Sequence, residues 1–377
     1  MKKRKLVENI LFIVVFVLVV LYPYVASLFG IQNDLVGADE KVELSFEKLD
    51  DYIVQNFPGR AFLIKTKNQL LYSLFDVSPN ATITKIGDTL FSTEALNYYH
   101  HGCHEVSEDE VNELVTKFRW FNEICKAKNK KMAILLTPTK PRYYSGSLSF
   151  ADDIMLAYKD KEHILPYDII KKHLQKSGLK YFDFIEQIDN NKNKYIEGKV
   201  PLFYKSGHHW STYKSNLLGL DLNKYMRKEL DLTIPHISIK ASPSEIPIPP
   251  DADLFEVLNI YDKPNEKFYQ SVINYDSVDF ENLNYVISGG SFLGGLLLPY
   301  STISITGDTY HIENKNLHCH KYVDNFAFES YDELNEKHDL LNFIKKADVF
   351  IFEINEINVY NATFGFLDYM LDHLEEI

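Results

Sequence analysis

A short strand that is apolar on every residue cannot face water, so it must lie inside a sheet covered on both sides. Lys131–Thr137 is such a run, MAILL between Lys131 and Thr137, ending at Pro138. It follows a long amphipathic pattern that Ser107-x-x-Glu110 opens as a capping box and that runs to about Lys128. The theme repeats along the chain. Tyr167–Lys176 is helical in pattern and Lys180–Phe184 is a short strand. Leu217–Lys228 is helical, Leu283–Ser288 a strand, Asp339–Lys346 helical, and Asp348–Ile354 a strand before a final helix, Gly365–Leu374. Such alternation predicts an α/β fold with a mainly parallel sheet and helices on both faces. Thr82–Phe91 reads as a hairpin turning at Gly87-Asp88, and Ser242–Pro250 as an extended Pro-rich connection. Tyr261–Ser277 and Thr302–Val323 read as β-rich excursions. Glu43–Phe75 reads as helical, broken at Pro58-Gly59, with a second amphipathic run over Ala61–Phe75.

The N-terminus predicts a different environment for the rest. Met1-Lys-Lys-Arg-Lys5 is cationic, and Asn9–Leu28 is apolar, free of charge and of membrane-spanning length, with Tyr22 and Tyr24 toward its far end. The positive flank places the start in the cytoplasm and the bulk outside it. The expected division is residues 1–30 as cytoplasmic start and transmembrane helix, 31–42 as linker, and 43–377 as one extracytoplasmic domain. A cleaved signal peptide is the alternative, with Val25-Ala26-Ser27 as a weak site. Acidic residues outnumber basic ones, 53 to 40, and no basic stripe stands out, which argues against a nucleic-acid partner. Three cysteines are an odd number for an exported domain. Cys125 falls within a helical pattern and is expected to be buried. Cys103 and Cys319 lie in His-rich stretches, where surface loops, a disulfide and a zinc site are the three readings. Neither stretch has a standard ligand spacing, so neither a metal nor another cofactor is expected.

Chemistry concentrates in Asn284–Tyr300. The run Tyr285-Val-Ile287 stops at Ser288-Gly-Gly290, and a single serine, Ser291, precedes Phe292 and a second apolar run. Strand, tight turn and helix start would place a hydroxyl beside glycines that admit a substrate and beside free N–H groups that can meet an oxyanion. A serine that merely caps a helix is the competing reading. Its candidate base is His209, in Tyr204-Lys-Ser-Gly-His-His-Trp-Ser211, flanked by His208 and Trp210. Ligands in open α/β sheets bind beyond the carboxyl ends of strands. The Pro138-Thr-Lys140 turn, Ser291 and the Glu353-Ile-Asn-Glu356 turn are all predicted to lie there.

These residues together resemble a known family, the SGNH-hydrolase-like alginate O-acetyltransferases of the AlgX/AlgJ type, with the related DHHW proteins. The resemblance runs from about Glu43 to the C-terminus. It rests on Asn56-Phe-Pro-Gly-Arg60, Thr89-Leu-Phe91, Pro138-Thr-Lys140, Gly207-His-His-Trp210, Asp253-Leu254, Gly289-Gly-Ser-Phe292 and Glu353-Ile-Asn-Glu356 with Gly365-Phe366. Each motif is short, and their shared order is the specific signal. The resemblance implies a flavodoxin-like fold, circularly permuted so that the histidine box precedes the serine box. It implies Ser291 as nucleophile and His209 as general base. It also implies acetyl transfer to hydroxyls of an exported polysaccharide, with a multispanning membrane O-acyltransferase as donor. Gly290, Phe292, Lys140, His208 and Trp210 are candidate oxyanion or substrate contacts. The sequence departs from the pattern at two positions. Gly207 stands where the family's triad acid is expected, two residues before the histidine, and Gly290 replaces the aspartate of the serine box. Glu353 and Asp183 are the expected substitutes for the acid. An acetyl-esterase and a non-catalytic polysaccharide-binding relative are the alternatives.

Overall fold

The computed structural model describes residues 59–101, 106–144, 165–275, 282–302, 309–313, 316–319 and 322–375. The apolar segment at 9–28, the linker and Cys103 lie outside them. Among the described residues no helix is long and apolar enough to cross a membrane. The chain divides into two units, Met1–Pro79 with Leu258–Lys263, and Asn80–Val257 with Pro264–Ile377. In the first, helix α1 (Arg60–Leu74) starts at Gly59, whose φ of 73° is the left-handed conformation that glycine adopts freely. Asn68 Nδ2 donates to the Leu258 carbonyl at 2.9 Å, and Gln69 Nε2 to Asp262 Oδ2 at 2.6 Å.

The second unit holds a seven-stranded sheet in the order β10 (Tyr322–Ala327), β9 (Asn316–Cys319), β8 (Thr309–Glu313), β7 (Tyr285–Gly289), β11 (Val349–Asn355), β3 (Lys131–Thr137), β4 (Tyr181–Asp183). The five strands from β8 to β4 are parallel, while β9 and β10 extend the edge antiparallel. Counted from β7, the parallel order reads 2-1-3-4-5, the flavodoxin-like arrangement, with the strand order reversing between β7 and β11. The expected permutation is therefore visible in the topology: the histidine segment and β3 and β4 precede β7 in the chain.

The all-apolar strands are split by their own pleat. Met132, Ile134, Leu136, Phe350, Phe352 and Ile354 pack into one core with α3 (Glu108–Ala127) and α5 (Pro166–Ser177). Ala133, Leu135, Val349, Ile351, Tyr285 and Ile287 face the other way, against α6 (Phe184–Asn190), α8 (Thr212–Glu229) and α10 (Leu293–Thr302). Period-2 alternation with both faces apolar is what a covered parallel sheet requires. Ser107 caps α3 as a full capping box, and Cys125 is buried and free.

Three expectations change. The strand at Lys180–Phe184 ends at Asp183, because that side chain accepts from the Ile185 and Glu186 N–H groups and starts α6. The start of the Pro-rich connection is paired, with β5 (Ile237–Ser244) antiparallel to β6 (Phe268–Tyr275). A helix the periodicity does not announce, α11 (Tyr331–His338), precedes α12 (Leu340–Lys346). Its signal was local: Ser330 Oγ accepts from the Glu333 N–H at 3.2 Å. The last helix, α13, spans Phe366–Asp372. The remaining elements follow the pattern: β1 (Ile83–Ile86) and β2 (Thr89–Ser92) form the expected hairpin, with α2 (Thr93–His101) after it. The short helices α4 (Lys140–Tyr144), α7 (Lys192–Tyr195) and α9 (Asp253–Glu256) complete the set.

Candidate active site

Ser291 follows β7 directly, at the carboxyl end of the sheet and beside the point where strand order reverses. Its side chain is exposed. His209 comes from the turn before α8, with Ser211 as that helix's N-cap. His209 Nε2 lies 2.5 Å from Ser291 Oγ. On the other side of the ring, Nδ1 lies 2.6 Å from Asp253 Oδ2. A carboxylate only accepts, so Nδ1 carries the proton, and Nε2 is left to accept from the serine hydroxyl.

Asp253 occupies the place at His209 Nδ1 for which Glu353 and Asp183 were the expected candidates. It sits at the start of α9, 44 residues beyond His209 in the chain. Its second oxygen accepts from the His208 N–H at 2.6 Å and the Leu254 N–H at 2.9 Å. Burial acts to raise its carboxyl, but the hydrogen bond and charge of His209 and the His208 N–H outweigh burial and hold it below the ordinary carboxylate range. Asp183 instead caps α6 and accepts from the Tyr167 hydroxyl at 2.7 Å, with Lys171 Nζ at 2.8 Å. Glu353 is buried, accepting from the Thr137 hydroxyl and from the Gly290 N–H at 2.7 Å.

The same geometry explains the glycine at 207. A Cβ there would sit 2.5 Å from the Asp251 carbonyl oxygen and 3.5 Å from Asp253 Oδ1. The segment carrying Asp253 passes over position 207 and leaves no room for a side chain. It is tied down at Asp251, whose Oδ1 accepts from the Thr212 N–H at 2.7 Å and hydroxyl at 2.8 Å, at the start of α8. Burial pushes the Asp251 carboxyl up to about 6. Glu266 holds the histidine loop from another side, accepting from the Lys205 and Ser206 N–H groups at 2.8 and 2.9 Å.

The remaining candidates are mostly built into the support. Lys140 is buried, and its Nζ lies 2.6 to 2.9 Å from the carbonyls of Leu90, Tyr204, Lys205 and Gly207. Burial draws its ammonium down to about 7, while Glu266 and Asp253 pull the other way. Four acceptors around one nitrogen suit the protonated amine, since a neutral amine would turn its lone pair toward a carbonyl. Lys140 therefore clips β2 to the histidine loop and does not reach a substrate. Trp210 is buried and donates from Nε1 to the Phe292 carbonyl at 3.1 Å, which fixes the Phe292–Leu293 peptide one residue past the serine. The Phe292 ring packs 5.0 Å from the His209 ring. His208 packs against Phe292 at 5.5 Å, and burial followed by repulsion from His209 lowers its basicity, leaving it neutral. The Gly290 N–H points to Glu353. The N–H groups of Ser291 and Phe292 have no hydrogen-bond acceptor among the described residues. Glu356 and Asn355 brace the Pro138–Lys140 turn: Glu356 accepts from the Thr139 N–H at 2.7 Å and from Arg142, and Asn355 Nδ2 donates to the Pro138 carbonyl at 3.2 Å.

The helices behind the serine and the histidine interlock through glycine. A Cβ at Gly219 on α8 would lie 2.6 Å from the Leu296 carbonyl oxygen, and one at Gly295 on α10 would lie 2.2 Å from Ser215 Oγ. Asn216 Nδ2 donates to the Gly295 carbonyl at 2.7 Å across the same contact. Two backbones in such close approach leave little freedom for one helix to shift against the other.

Fold and site together define an α/β protein with a serine–histidine–aspartate arrangement at the carboxyl ends of a permuted flavodoxin-like sheet. No protein-family model matches the chain, and no curated protein matches it. Among solved structures it is similar to the O-acetyltransferase domain of Pseudomonas putida AlgJ, at 12% identity and a TM-score of 0.45 over 73% of this chain and 90% of that one. It is similar to Bacillus cereus PatB1 at 10% identity and a TM-score of 0.44, over 74% and 97% of the two chains. It is also similar to Pseudomonas aeruginosa AlgX at 15% identity and a TM-score of 0.44, over 76% and 66%.

Proposed function

We propose that this chain is an O-acetyltransferase that moves acetyl groups onto hydroxyls of an exported polysaccharide through an acetyl ester on Ser291. The observation that carries the proposal is His209 held between Ser291 Oγ at 2.5 Å and Asp253 Oδ2 at 2.6 Å. His209 Nε2 takes the hydroxyl proton as Ser291 Oγ attacks the donor's acetyl carbonyl, and the carbonyl electrons move onto its oxygen. The Ser291 N–H, at the turn into α10 and without an acceptor among the described residues, is the backbone donor assigned to that oxyanion. The donor's leaving oxygen departs with the proton from His209, leaving acetyl-Ser291. A sugar hydroxyl then attacks the ester while His209 takes its proton, and Ser291 Oγ leaves and recovers a proton. Asp253 keeps the ring in the tautomer that both halves need.

In this reading the apolar segment at 9–28 anchors the domain on the outer face of the membrane. A multispanning membrane O-acyltransferase there presents the acetyl donor. Tethering raises the effective concentration of donor without any new contact. Water and a sugar hydroxyl are alternative acceptors for one acyl-enzyme, so an acetyl-esterase would share every group named above. A chromogenic acetyl ester supplied with and without an oligosaccharide acceptor separates the two. Acetylated oligosaccharide that accumulates at the expense of free acetate supports transfer, and release indifferent to acceptor refutes it. The non-catalytic alternative rests on the two glycines, and Asp253 beside His209 supports the catalytic reading by supplying the acid that Gly207 lacks. Ser291→Ala that left polymer acetylation in cells unchanged would favour the non-catalytic alternative.

A further inference from the structure

We propose that Glu353 is a positioning residue for Ser291, a buried carboxyl that holds the Gly289–Gly290 peptide on the approach to the nucleophile and turns the Gly290 N–H away from the reacting oxygen. The inference rests on the acyl-serine reading above and concerns how that site is held.

Glu353 lies near the end of β11, the strand beside β7 at the reversal of strand order. By the alternation along β11 it shares the face of Val349 and Ile351, the side on which α8 and α10 pack. Its neighbour β3 contributes Thr137, whose hydroxyl donates to Oε1, and β7 leads into Gly290, whose N–H donates to Oε2 at 2.7 Å. One carboxyl thus joins the ends of three adjacent strands at 1% exposure. The chain is shaped around it. A Cβ at Gly289 would lie 2.6 Å from the Glu353 Cβ, 2.7 Å from Leu293 Cδ1 and 2.8 Å from Glu353 Oε2, so the glycine before Gly290 is required by the close packing of the Glu353 and Leu293 side chains against it.

Burying a carboxyl costs stability that an apolar side chain of the same volume would not cost. What this one supplies is direction. With the Gly290 N–H committed to Oε2, the Gly289–Gly290 peptide is fixed on one side of the serine while Trp210 fixes the Phe292 carbonyl on the other. The serine is bracketed between two hydrogen bonds, one part-buried and one buried. The N–H groups left for a developing oxyanion are those of Ser291 and Phe292. Burial raises the Glu353 carboxyl to about 6, and Glu313 pushes the same way. The Thr137 and Gly290 hydrogen bonds and His209 oppose them. Protonation would put a hydroxyl donor on one of two oxygens that now only accept, so the bracket loosens as pH falls through that value.

Misplacing a reacting atom by about 1 Å costs on the order of 10²-fold in rate, which sets the expected effect. The test uses the full chain with Glu353→Leu, Glu353→Gln and Thr137→Val. It reads kcat and KM on a chromogenic acetyl ester from pH 5 to 8, and hydrogen exchange of the Gly290 amide. Glu353→Leu is expected to lower kcat by about 10²-fold with little change in KM, and to speed exchange at Gly290. Glu353→Gln, whose amide oxygen can still accept from Gly290, is expected to restore most of kcat and to remove an ionisation near pH 6 from the acid limb. Thr137→Val, which leaves the Gly290 bond, is expected to fall between them. Folded Glu353→Leu protein with unchanged kcat, or Glu353→Gln as impaired as Glu353→Leu, overturns the proposal. A native chain whose ester turnover is indifferent to Ser291→Ala overturns the acyl-serine reading itself. Slow Gly290 exchange lost in Glu353→Leu would then mark the carboxyl as a purely structural clamp.

Discussion

At the scale of single residues, the carboxylate at His209 Nδ1 comes from Asp253 and not from position 207. Gly207 cannot carry it, because the Asp251 carbonyl is 2.5 Å from where its Cβ would be, and Asp253 reaches His209 from that same overlying segment. Asp253→Asn keeps the shape and loses the acceptor that sets the tautomer. It is expected to lower kcat by up to about 10⁴-fold, as loss of the orienting acid does in the serine-protease template, with KM nearly unchanged. Asp183→Asn is expected to leave kcat within a few-fold, since its partners are the α6 N-terminus, Tyr167 and Lys171. Steady-state hydrolysis of a small acetyl ester distinguishes them, and equal losses in both would refute the assignment. Ser291 and His209 were legible in the sequence because each sits in a locally marked turn, one glycine-rich and one between the apolar stretch Val200–Phe203 and a capped helix. Asp253 was visible only as an Asp-Leu pair. Nothing local marks its role, which depends on a 44-residue excursion returning over the histidine loop.

At the scale of elements, α8 and α10 carry the geometry from the sheet to the site. Each begins within a few residues of a triad member, and each presents a glycine to the other's backbone or short side chain. Gly295→Ala forces a contact of 2.2 Å with Ser215 Oγ and is expected to destabilise by about 1–3 kcal/mol, in the range of overpacked cores. Gly294→Ala, one residue earlier, meets nothing within 4 Å. It is expected to stabilise α10 by about 0.5–1 kcal/mol through helix propensity alone. Urea denaturation of the two variants checks the pair, and shifts of the same sign would contradict the interlock. The strands were the most legible elements, since β3 is apolar from Met132 to Leu136, β11 from Val349 to Phe352, and β7 up to Ser288. The helices α6 and α11 were not, because a side-chain cap at Asp183 or Ser330 outweighs an unremarkable pattern of apolar residues. β5 was hidden for a related reason. Its strand state comes from pairing with β6, some thirty residues on, rather than from its own propensity.

At the scale of the whole molecule, buried carboxyls tie stability to pH. Glu353 and Asp251 are both raised to about 6 by burial. An acid whose folded pKa is raised binds its proton more tightly when folded. Its contribution is full below the ordinary carboxylate pKa, near 4, and is lost as pH rises through about 6. Each group is worth about 2–3 kcal/mol over that window. Asp253, held low by His209, and Asp221, lowered to about 2 by its hydrogen bonds from Lys194, Tyr195 and Lys224 despite burial, act the opposite way and only below about pH 4. Glu353→Gln is therefore expected to flatten the fall in melting temperature between pH 4.5 and 6, roughly the interval set by the ordinary and raised values. Parallel pH profiles for the two proteins would contradict the shift. The α/β class was legible from alternation alone. The permuted strand order was not, because it depends on which strands pair across the chain, and only the order of the motifs hinted at it.

The acyl-serine course is tested most directly by trapping the acyl-enzyme. The full chain is mixed with an activated acetyl ester, quenched in acid within the first turnovers, digested and weighed peptide by peptide. One acetyl group is expected on the peptide carrying Ser291, discharged when an oligosaccharide acceptor is added before the quench, and missing in His209→Ala. Acetyl absent from Ser291 during turnover, or present there in equal amount without His209, would contradict a nucleophile activated by the Ser291–His209–Asp253 arrangement.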